Sequence, residues 1–223
     1  MSHTDHRKPL IVPLGDSALL VRFGDSLDEA ANRAAIAFAQ RLAAAALTQV
    51  LETVPSLVSV LVRFDPALTD GDRLAAELRL LLAAEVDLNG DINRRHTVPV
   101  EFGGAAGPDL DEVAAAMGMR PRAFILAHNA GLLRVLAIGF APGFAYCGFH
   151  PEQLRVPRRK EVRQRVPAGS ILFAAGQTAI AATDIPTGWN VIGRSPLINF
   201  NPAAEPPVRL QPGDMVRFEA ISA

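Results

Sequence analysis

The chain has 223 residues, a net charge of -1 and a single cysteine, Cys147. This length suffices for one large domain or two small ones. The near-neutral charge excludes a global attraction to nucleic acid or to an anionic membrane. One cysteine excludes an internal disulfide, the N-terminus lacks an apolar run of signal-peptide length, and the most apolar run is too short to span a bilayer. We therefore expect a cytoplasmic protein without a membrane segment.

The first part of the chain, residues 11–93, alternates strand and helix patterns. It follows a polar tail, residues 1–10, that we expect to be disordered. Ser26 and Glu29 have the spacing of a capping box, which predicts a helix that begins near Asp28. The predicted buried face of this helix consists of Ala31, Ala35, Phe38 and Leu42.

A further strand and a second helix are predicted in the same half. Residues 56–64 are rich in Val and Leu, which favours a strand. Residues 70–86 have helical periodicity, with an apolar stripe of Leu74, Leu78, Leu81 and Leu82. Residues 87–95 have the composition of a linker. The order of elements predicts a small α/β domain in which helices cover one face of a sheet.

Residues 94–223 show two short helix patterns among many short strands. We expect Asp109 and Glu112 to cap the first of these helices, and Pro121 to open the second, which should end at Gly131. The strand-like apolar runs, separated by Pro and Gly, are residues 96–102, 132–139, 169–176, 178–183, 189–193, 196–200 and 208–221. Repeated short strands with turn signals predict a closed or nearly closed β-barrel, and the whole chain is predicted to be α+β.

Residues 139–151, GFAPGFAYCGFHP, combine glycines, prolines and aromatic residues. Gly143 and Gly148 have the separation of a phosphate-binding loop, but the Lys and hydroxyl residue that should follow are absent, so we reject this motif. Two interpretations stay open: the phenylalanines fill the barrel, which residue types alone favour, or they line a ligand pocket. The residues concerned are Phe140, Phe144 and Phe149.

The densest basic stretch lies at residues 155–165. Arginine binds carboxylate or phosphate through two parallel hydrogen bonds, so this stretch is a candidate anion site. A solvated surface segment explains the same composition equally well. Nucleic acid is not expected, because the stretch is short and has no interleaved aromatic residues. Its cations are Arg155, Arg158, Arg159, Lys160, Arg163 and Arg165.

The polar residues that follow predict a small-molecule site. Gly176, Gln177 and Thr178 offer a backbone that a ligand can approach closely, an amide and a hydroxyl. Trp189, the only tryptophan, stands beside a turn, and Arg194 ends a strand pattern. Each feature alone indicates a turn. Together they are typical of a polar rim around an aromatic floor.

The histidines and the cysteine give weak signals. His96, His128 and His150 lack the spacing of metal ligands, so we expect no metal site. We expect His128 to be structural or to contact a partner, and Cys147 to be buried and unreactive.

Five motifs in order carry a resemblance to one family. They are GFAPGFAYCGF, VPRRKEVRQRVPAGS, GQTAI, GWNVIGRSP and LQPGDMVRF. The chain resembles, over nearly its whole length, the family of the 5-oxoprolinase B subunit, also called allophanate hydrolase subunit 1 or the KipI-type kinase inhibitor. The resemblance implies a small α/β domain followed by a cyclophilin-like β-barrel domain.

The same resemblance implies one component of an enzyme complex. Its partners would be the C subunit, a second cyclophilin-like protein that is KipA-like, and the A subunit, of the LamB/YcsF type. Together they would open the lactam of 5-oxo-L-proline to L-glutamate with hydrolysis of ATP, which would be bound with Mg²⁺ with or by a partner protein. Because the chain ends just after its last predicted strand, we expect the C subunit to be a separate protein. Two alternatives stay open: inhibition of a sensor histidine kinase, and carboxyl transfer in a urea carboxylase-type system.

The resemblance also implies a site on the second domain, without identifying a catalytic residue. The implied substrate-binding residues are Arg158, Arg159, Arg163, Arg165, Gly176, Gln177, Thr178, Trp189 and Arg194. The implied residues of a pocket wall or partner interface are Phe140, Phe144, Tyr146 and His128.

Overall fold

The structure is a computed structural model that describes residues 8–83 and 94–221. The chain divides into two compact units, residues 1–92 and 93–223. Most of the predicted tail and most of the predicted linker lie outside the described residues. Within the predicted tail, Leu10 already belongs to the first strand.

The first unit is an antiparallel sheet with two helices packed on one face. Its elements are β1 (Leu10–Pro13), β2 (Ala18–Arg22), α1 (Glu29–Ala45), β3 (Val50–Ser56), β4 (Ser59–Phe64) and α2 (Gly71–Ala83), with the sheet order β1-β2-β4-β3. Alternate residues of the strands face the helices, as the period of two requires. The core comprises Leu19, Val21, Val60, Val62 and Phe64 from the sheet and Phe38, Leu42, Leu74 and Leu78 from the helices.

Two details of this unit differ from the prediction. The strand predicted at residues 56–64 begins at Ser59, and β3 precedes it as the first half of a hairpin. Pro55 and the polar residues of β3 hide its strand pattern from the sequence. The cap of α1 is Asp28 rather than Ser26, because the Asp28 carboxylate accepts a hydrogen bond from the Ala31 backbone N–H at 2.9 Å. The predicted buried face of α1 is confirmed.

The second unit is a closed barrel with two short helices. Its helices are α3 (Leu110–Ala116) and α4 (Pro121–His128). Its strands are β5 (Arg95–Phe102), β6 (Leu133–Ile138), β7 (Ala145–Gly148), β8 (Arg163–Val166), β9 (Ser170–Ala174), β10 (Gln177–Ile180), β11 (Ile185–Thr187), β12 (Asn190–Arg194) and β13 (Met215–Ala220). The barrel order is β10-β7-β6-β13-β5-β12-β9, closed by pairing of β9 with β10. The predicted α+β fold with a barrel domain is confirmed.

The barrel wall separates two apolar cores. The interior is filled by side chains of the strands and of α3 and α4, among them Val98, Val100, Leu110, Phe124, Ile171, Phe173, Ile180 and Phe218. The second core lies on the outer face of the wall, beneath the two-stranded sheet of β8 and β11, and comprises Phe144, Val166, Leu172, Ala174, Ala179, Ala181, Ile185, Trp189 and Val191.

Local predictions for this unit are partly wrong. Helix α4 ends at His128 rather than at Gly131. Residues 196–200 form no strand and contribute only an isolated bridge from Phe200 to Val208. The sequence pattern does not reveal β7, β8 and β11, because each is short and lies among Pro, Gly or Arg residues.

Removal of the Asp28 side chain tests whether Asp28, and not Ser26, caps α1. We expect Asp28→Ala to lower the free energy of unfolding by about 1 kcal/mol, because the first turn of the helix loses a hydrogen-bond acceptor. Ser26→Ala is the matched control and should leave stability unchanged. Urea denaturation of both variants measures the difference, and an equal loss in the two would contradict this capping geometry.

Candidate functional site

The wall of the barrel places the predicted site residues on two different sides. In the pairing of β7 with β10, Thr178 lies opposite Cys147, and Ala179 lies opposite Tyr146. Successive side chains of a strand point to opposite faces. Cys147 belongs to the interior core, whereas Ala179 and Tyr146 belong to the outer one. Thr178 therefore faces the barrel interior, and Tyr146 faces outward.

An outward row of aromatic rings ends in an arginine, and we call it the aromatic–arginine face. Its ring centroids are 5.4 Å apart from Phe140 to Phe144, 4.8 Å from Phe144 to Tyr146, and 6.0 Å from Tyr146 to Trp189. The Arg158 guanidinium carbon lies 5.5 Å from the centre of the Trp189 ring. This distance is typical of a cation–π contact.

The loop before β7 holds the first two rings of this face. Phe140 has a φ of +75° and is 70% exposed, whereas Phe144 is buried in the outer core. Gly143 has a φ of +67°, and a Cβ there would lie 2.6 Å from Cβ of Phe200. Asn199 donates a hydrogen bond to the Gly143 carbonyl at 2.7 Å. The interpretation in which Phe140, Phe144 and Phe149 fill the barrel is therefore wrong for Phe140 and Phe144.

The end of this face next to Trp189 suits a small planar anion. Burial raises the pKa of the Tyr146 phenol, and the positive charge of Arg158 partly opposes the shift. Tyr146 therefore keeps its proton at neutral pH and can donate a hydrogen bond. Arg158 supplies an exposed positive charge beside two flat rings.

Arg159 and Arg163 converge on the buried carboxylate of Asp109. Arg159 Nη1 lies 2.7 Å and Arg163 Nη2 lies 2.5 Å from Asp109 Oδ1. The other carboxylate oxygen accepts a hydrogen bond from the Val191 backbone N–H at 2.7 Å. Asp109 makes no capping bond to α3 through its side chain, so the predicted capping box is wrong. Asp109 instead fixes the arginine segment to β12.

Arg165 and Arg194 lie near a second carboxylate, that of Asp184, at the surface. Arg165 Nε donates to Asp184 Oδ2 at 2.8 Å. The Ala168 backbone N–H, Arg165 and Arg194 hold the pKa of Asp184 below its usual value. The five predicted arginines thus divide among three neighbours: Arg158 lies over Trp189, Arg159 and Arg163 bind Asp109, and Arg165 and Arg194 lie near Asp184. Their assignment to substrate binding stays a prediction.

A series of hydrogen-bonded side chains lies on the interior side of the barrel wall. Its members are Asn129, His128, Thr178 and His150, and we call it the Thr178 network. His128 Nδ1 lies 2.7 Å from Asn129 Oδ1. His128 Nε2 and His150 Nε2 each lie 2.8 Å from Thr178 Oγ1. The two imidazole rings have centroids 4.8 Å apart.

Both histidines of this network are uncharged. Burial lowers the pKa of His128 to about 4. Burial, and secondarily the neighbouring His128, lowers the pKa of His150 to about 3. The rings pack among phenylalanines that exclude water, namely Phe102, Phe124, Phe173 and Phe218.

Sequence reasoning named His128 and Thr178 but missed that His150 and Asn129 join them. His150 follows β7 and Thr178 lies on β10, and no local spacing in the sequence predicts a contact between residues so far apart.

The predicted site residues Gly176 and Gln177 lie next to this network in the chain. Gly176, with a φ of +75°, accepts a hydrogen bond from the His150 backbone N–H at 3.1 Å. Gln177 is buried, and its Nε2 has no hydrogen-bond partner among the described residues.

Two further properties concern the described residues as a whole. In residues 8–83 and 94–221, no group of three or more His, Cys, Asp or Glu is placed to hold a metal ion. No helix of these residues is long and apolar enough to cross a membrane. Cys147 is buried as predicted, and burial raises the pKa of its thiol to about 12.

A cavity of about 470 Å³ lies in the first unit, apart from every predicted site residue. Its lining residues are Gln49, Leu68, Thr69, Arg73, Ala76 and Glu77.

Removing the carboxylate of Asp109 should destabilise the second unit. Asp109→Ala removes the buried partner shared by Arg159 and Arg163, and leaves Arg159 only its longer contact to the exposed Glu112 at 3.8 Å. We expect a loss of about 3 kcal/mol in the free energy of unfolding. Asp184→Ala removes an exposed partner of one arginine and should change stability little. Guanidinium denaturation of both variants provides the comparison. A near-zero effect of Asp109→Ala would show that the two arginines find other partners.

Acid should destabilise the protein through the two buried histidines. Their folded pKa values lie below the ordinary 6.5, so the unfolded chain binds more protons as the pH falls below 6.5. The contribution of the two neutral histidines to the free energy of unfolding is therefore complete above pH 6.5. It decreases as the pH falls toward the folded pKa values of about 4 and about 3. We expect a loss of about 2 kcal/mol per histidine between pH 8 and pH 5.

Denaturation curves at the two pH values measure this loss. The double variant His128→Gln/His150→Gln should show a flatter pH dependence than the parent chain. An unchanged slope would mean that neither histidine is neutral in the folded state.

Comparisons with known proteins agree with the fold and the motifs. The model of the family "Carboxyltransferase domain, subdomain C and D" matches residues 9–210. The 5-oxoprolinase B subunit of Bacillus subtilis (strain 168) is 34% identical over 225 residues, covering 95% of this chain and 92% of that protein.

Solved structures give the same picture. TTHA0988 is 35% identical with a TM-score of 0.82, covering 93% of this chain and 40% of that one, so this chain spans less than half of that protein. The Kluyveromyces lactis urea amidolyase shares the fold, with a TM-score of 0.77 at 15% identity over 96% of this chain and 15% of that one. The chain belongs to the family of the 5-oxoprolinase B subunit.

Proposed function

We propose that this protein is the B subunit of an ATP-dependent 5-oxoprolinase. It would act in the cytoplasm with the A and C subunits to open the lactam of 5-oxo-L-proline to L-glutamate. The observation that carries the proposal is the 34% identity to a protein of that name over nearly the full length of both chains.

The aromatic–arginine face supplies a site for this substrate. 5-Oxo-L-proline is a small ring with one carboxylate and one amide. We assign the carboxylate to Arg158, which is exposed, and not to Arg159 or Arg163, whose guanidinium groups bind Asp109. The ring would pack against Tyr146, which is partly exposed, whereas Trp189 is only 5% exposed and holds Arg158 in place.

The C subunit would cover the open end of this face. Phe140 is 70% exposed although it packs on Phe144, and such exposed aromatic groups are common at protein interfaces. The face itself carries no side chain to which we assign nucleophilic or general-base chemistry. We therefore propose that the reactive groups are shared with the partner proteins.

ATP would transfer its γ-phosphoryl group to the lactam oxygen and leave as ADP, and the group would be released as phosphate when water opens the ring. The glycines with phosphate-loop spacing do not fit a nucleotide, because side chains of Phe200 and Leu136 lie within 3 Å of where a Cβ of Gly143 or Gly148 would be. We therefore propose that ATP and Mg²⁺ are bound with or by a partner protein.

Turnover by the mixed proteins tests this function. With the A and C subunits present, we expect release of ADP that depends on 5-oxo-L-proline. Arg158→Ala should raise KM for 5-oxo-L-proline about tenfold or more, as expected when a charged hydrogen bond is lost. Arg155→Ala, an exposed arginine of the same segment, is the matched control and should behave as the parent chain. Absence of turnover in every combination would overturn the proposal.

Carboxyl transfer is the second candidate, favoured by the description of the matching family as a carboxyltransferase domain. It would need a biotinylated carrier protein supplied separately. Transfer of a carboxyl group from carboxybiotin to urea, together with no turnover of 5-oxo-L-proline, would select this function instead.

A further inference from the structure

The Thr178 network leaves one imidazole nitrogen without a partner. Its internal bonds use both nitrogens of His128, but only Nε2 of His150. Within the described residues, Nδ1 of His150 makes no hydrogen bond. This nitrogen is not fully buried, so it remains accessible to solvent. His150 is 9% exposed, whereas His128 is 1% and Thr178 is 0% exposed. The network therefore reaches the edge of the barrel at His150.

With Asn129 Oδ1 assigned as the atom that faces His128, the hydrogen bonds of the network give every proton a direction. Asn129 Oδ1 can only accept, so His128 Nδ1 carries the proton of that ring. His128 Nε2 is then an acceptor and takes the single hydroxyl proton of Thr178. Thr178 Oγ1 must in turn accept from His150 Nε2. The lone pair of His150 consequently lies on Nδ1.

We propose that His150 Nδ1 is a hydrogen-bond acceptor for the N–H group of a small amide or lactam ligand. Asn129, His128 and Thr178 are positioning residues that hold His150 in the tautomer with this free lone pair. A lactam has the required N–H, and the inference does not depend on the proposed function, which places 5-oxo-L-proline on the aromatic–arginine face.

A second unsatisfied group lies close to His150 in the chain. Gln177 Nε2 is a donor without a partner among the described residues, and Gln177 is 8% exposed. It lies 3.8 Å from where a Cβ of Gly148 would be, two residues before His150. The His150 backbone also binds the carbonyl of Gly176, the neighbour of Gln177. The side chains of Gln177 and Thr178 point to opposite faces of β10, so the acceptor site rests on His150 and not on Gln177.

Nitrogen NMR of the full chain tests the direction of the protons. We expect His128 to carry its proton on Nδ1 and His150 on Nε2 at neutral pH. The Nδ1–H form is the less common one for a free histidine, so His128 gives the diagnostic signal. The reverse assignment in either ring would overturn the proposal.

Titration with two ring compounds tests the acceptor site. 2-Pyrrolidinone is a lactam with an N–H, and γ-butyrolactone is the ester of the same shape without one. We expect 2-pyrrolidinone to shift the Nδ1 resonance of His150 and γ-butyrolactone to leave it in place. Equal responses to the two compounds, including none to either, would overturn the proposal.

Two variants separate positioning from folding. Thr178→Ser keeps the hydroxyl and should keep both the tautomers and the lactam response. Thr178→Val removes the hydroxyl and should release the tautomer of His150 and weaken lactam binding about tenfold. If Thr178→Val binds the lactam as the parent chain does, or Thr178→Ser fails to, the positioning role is wrong.

The NMR experiments on His150 and the turnover experiment test the acceptor site and the proposed function separately. If the mixed proteins fail to turn over 5-oxo-L-proline while the NMR results hold, the proposed function falls and the acceptor site stands. If turnover is normal but the tautomers are reversed, the acceptor site falls and the proposed function stands.

Discussion

The pairing of β10 between β7 and β9 decides which chemistry each candidate residue can perform. In this register Thr178 lies opposite Cys147 on one side and Phe173 on the other. A shift of one residue would exchange the two faces of β10, because side chains alternate along a strand. Thr178 would then leave its two histidines, and Ala179 would leave the outer core that supports Trp189. The aromatic–arginine face and the Thr178 network both depend on this register.

The buried carboxylate of Asp109 has a comparable effect on the arginine segment. A run of cations would repel itself as a free loop, but Arg159 and Arg163 share Asp109, and Arg159 also binds the Gly188 carbonyl through its backbone at 2.7 Å. The same backbone path carries Arg158 next to Trp189. A segment that looks uniformly basic in sequence thus contains two structural arginines beside one that is open to a ligand.

The sequence predicted those features that local periodicity and turn chemistry control. The buried face of α1, the start of α4 at Pro121 and the barrel of short strands follow from spacing and turn residues alone. It could not predict contacts between residues far apart in the chain, such as Asp109 with Arg163 or His150 with Thr178. It also placed Gln177 and Thr178 in one rim, although adjacent residues of a strand face opposite sides. The strand predicted at residues 178–183 left out Gln177, which β10 includes.

The two sides of the wall suggest different tasks for one small domain. The outer face offers charge and flat apolar surface, which suit recognition of a carboxylate and a ring. The inner network offers neutral hydrogen-bonding groups that cannot take up a proton near neutral pH, because burial holds the pKa values of both histidines far below 6.5. Anion binding at the outer face would therefore leave the charge of the inner network unchanged.

The fluorescence of Trp189 tests the outer face most directly, because it is the only tryptophan of the chain. Titration of the complete protein mixture, with tryptophan-free partners, should give a saturable change with 5-oxo-L-proline. The change should be weakened in Arg158→Ala and preserved in Arg155→Ala. Normal turnover without any response of Trp189 would contradict the placement of the substrate on the aromatic–arginine face.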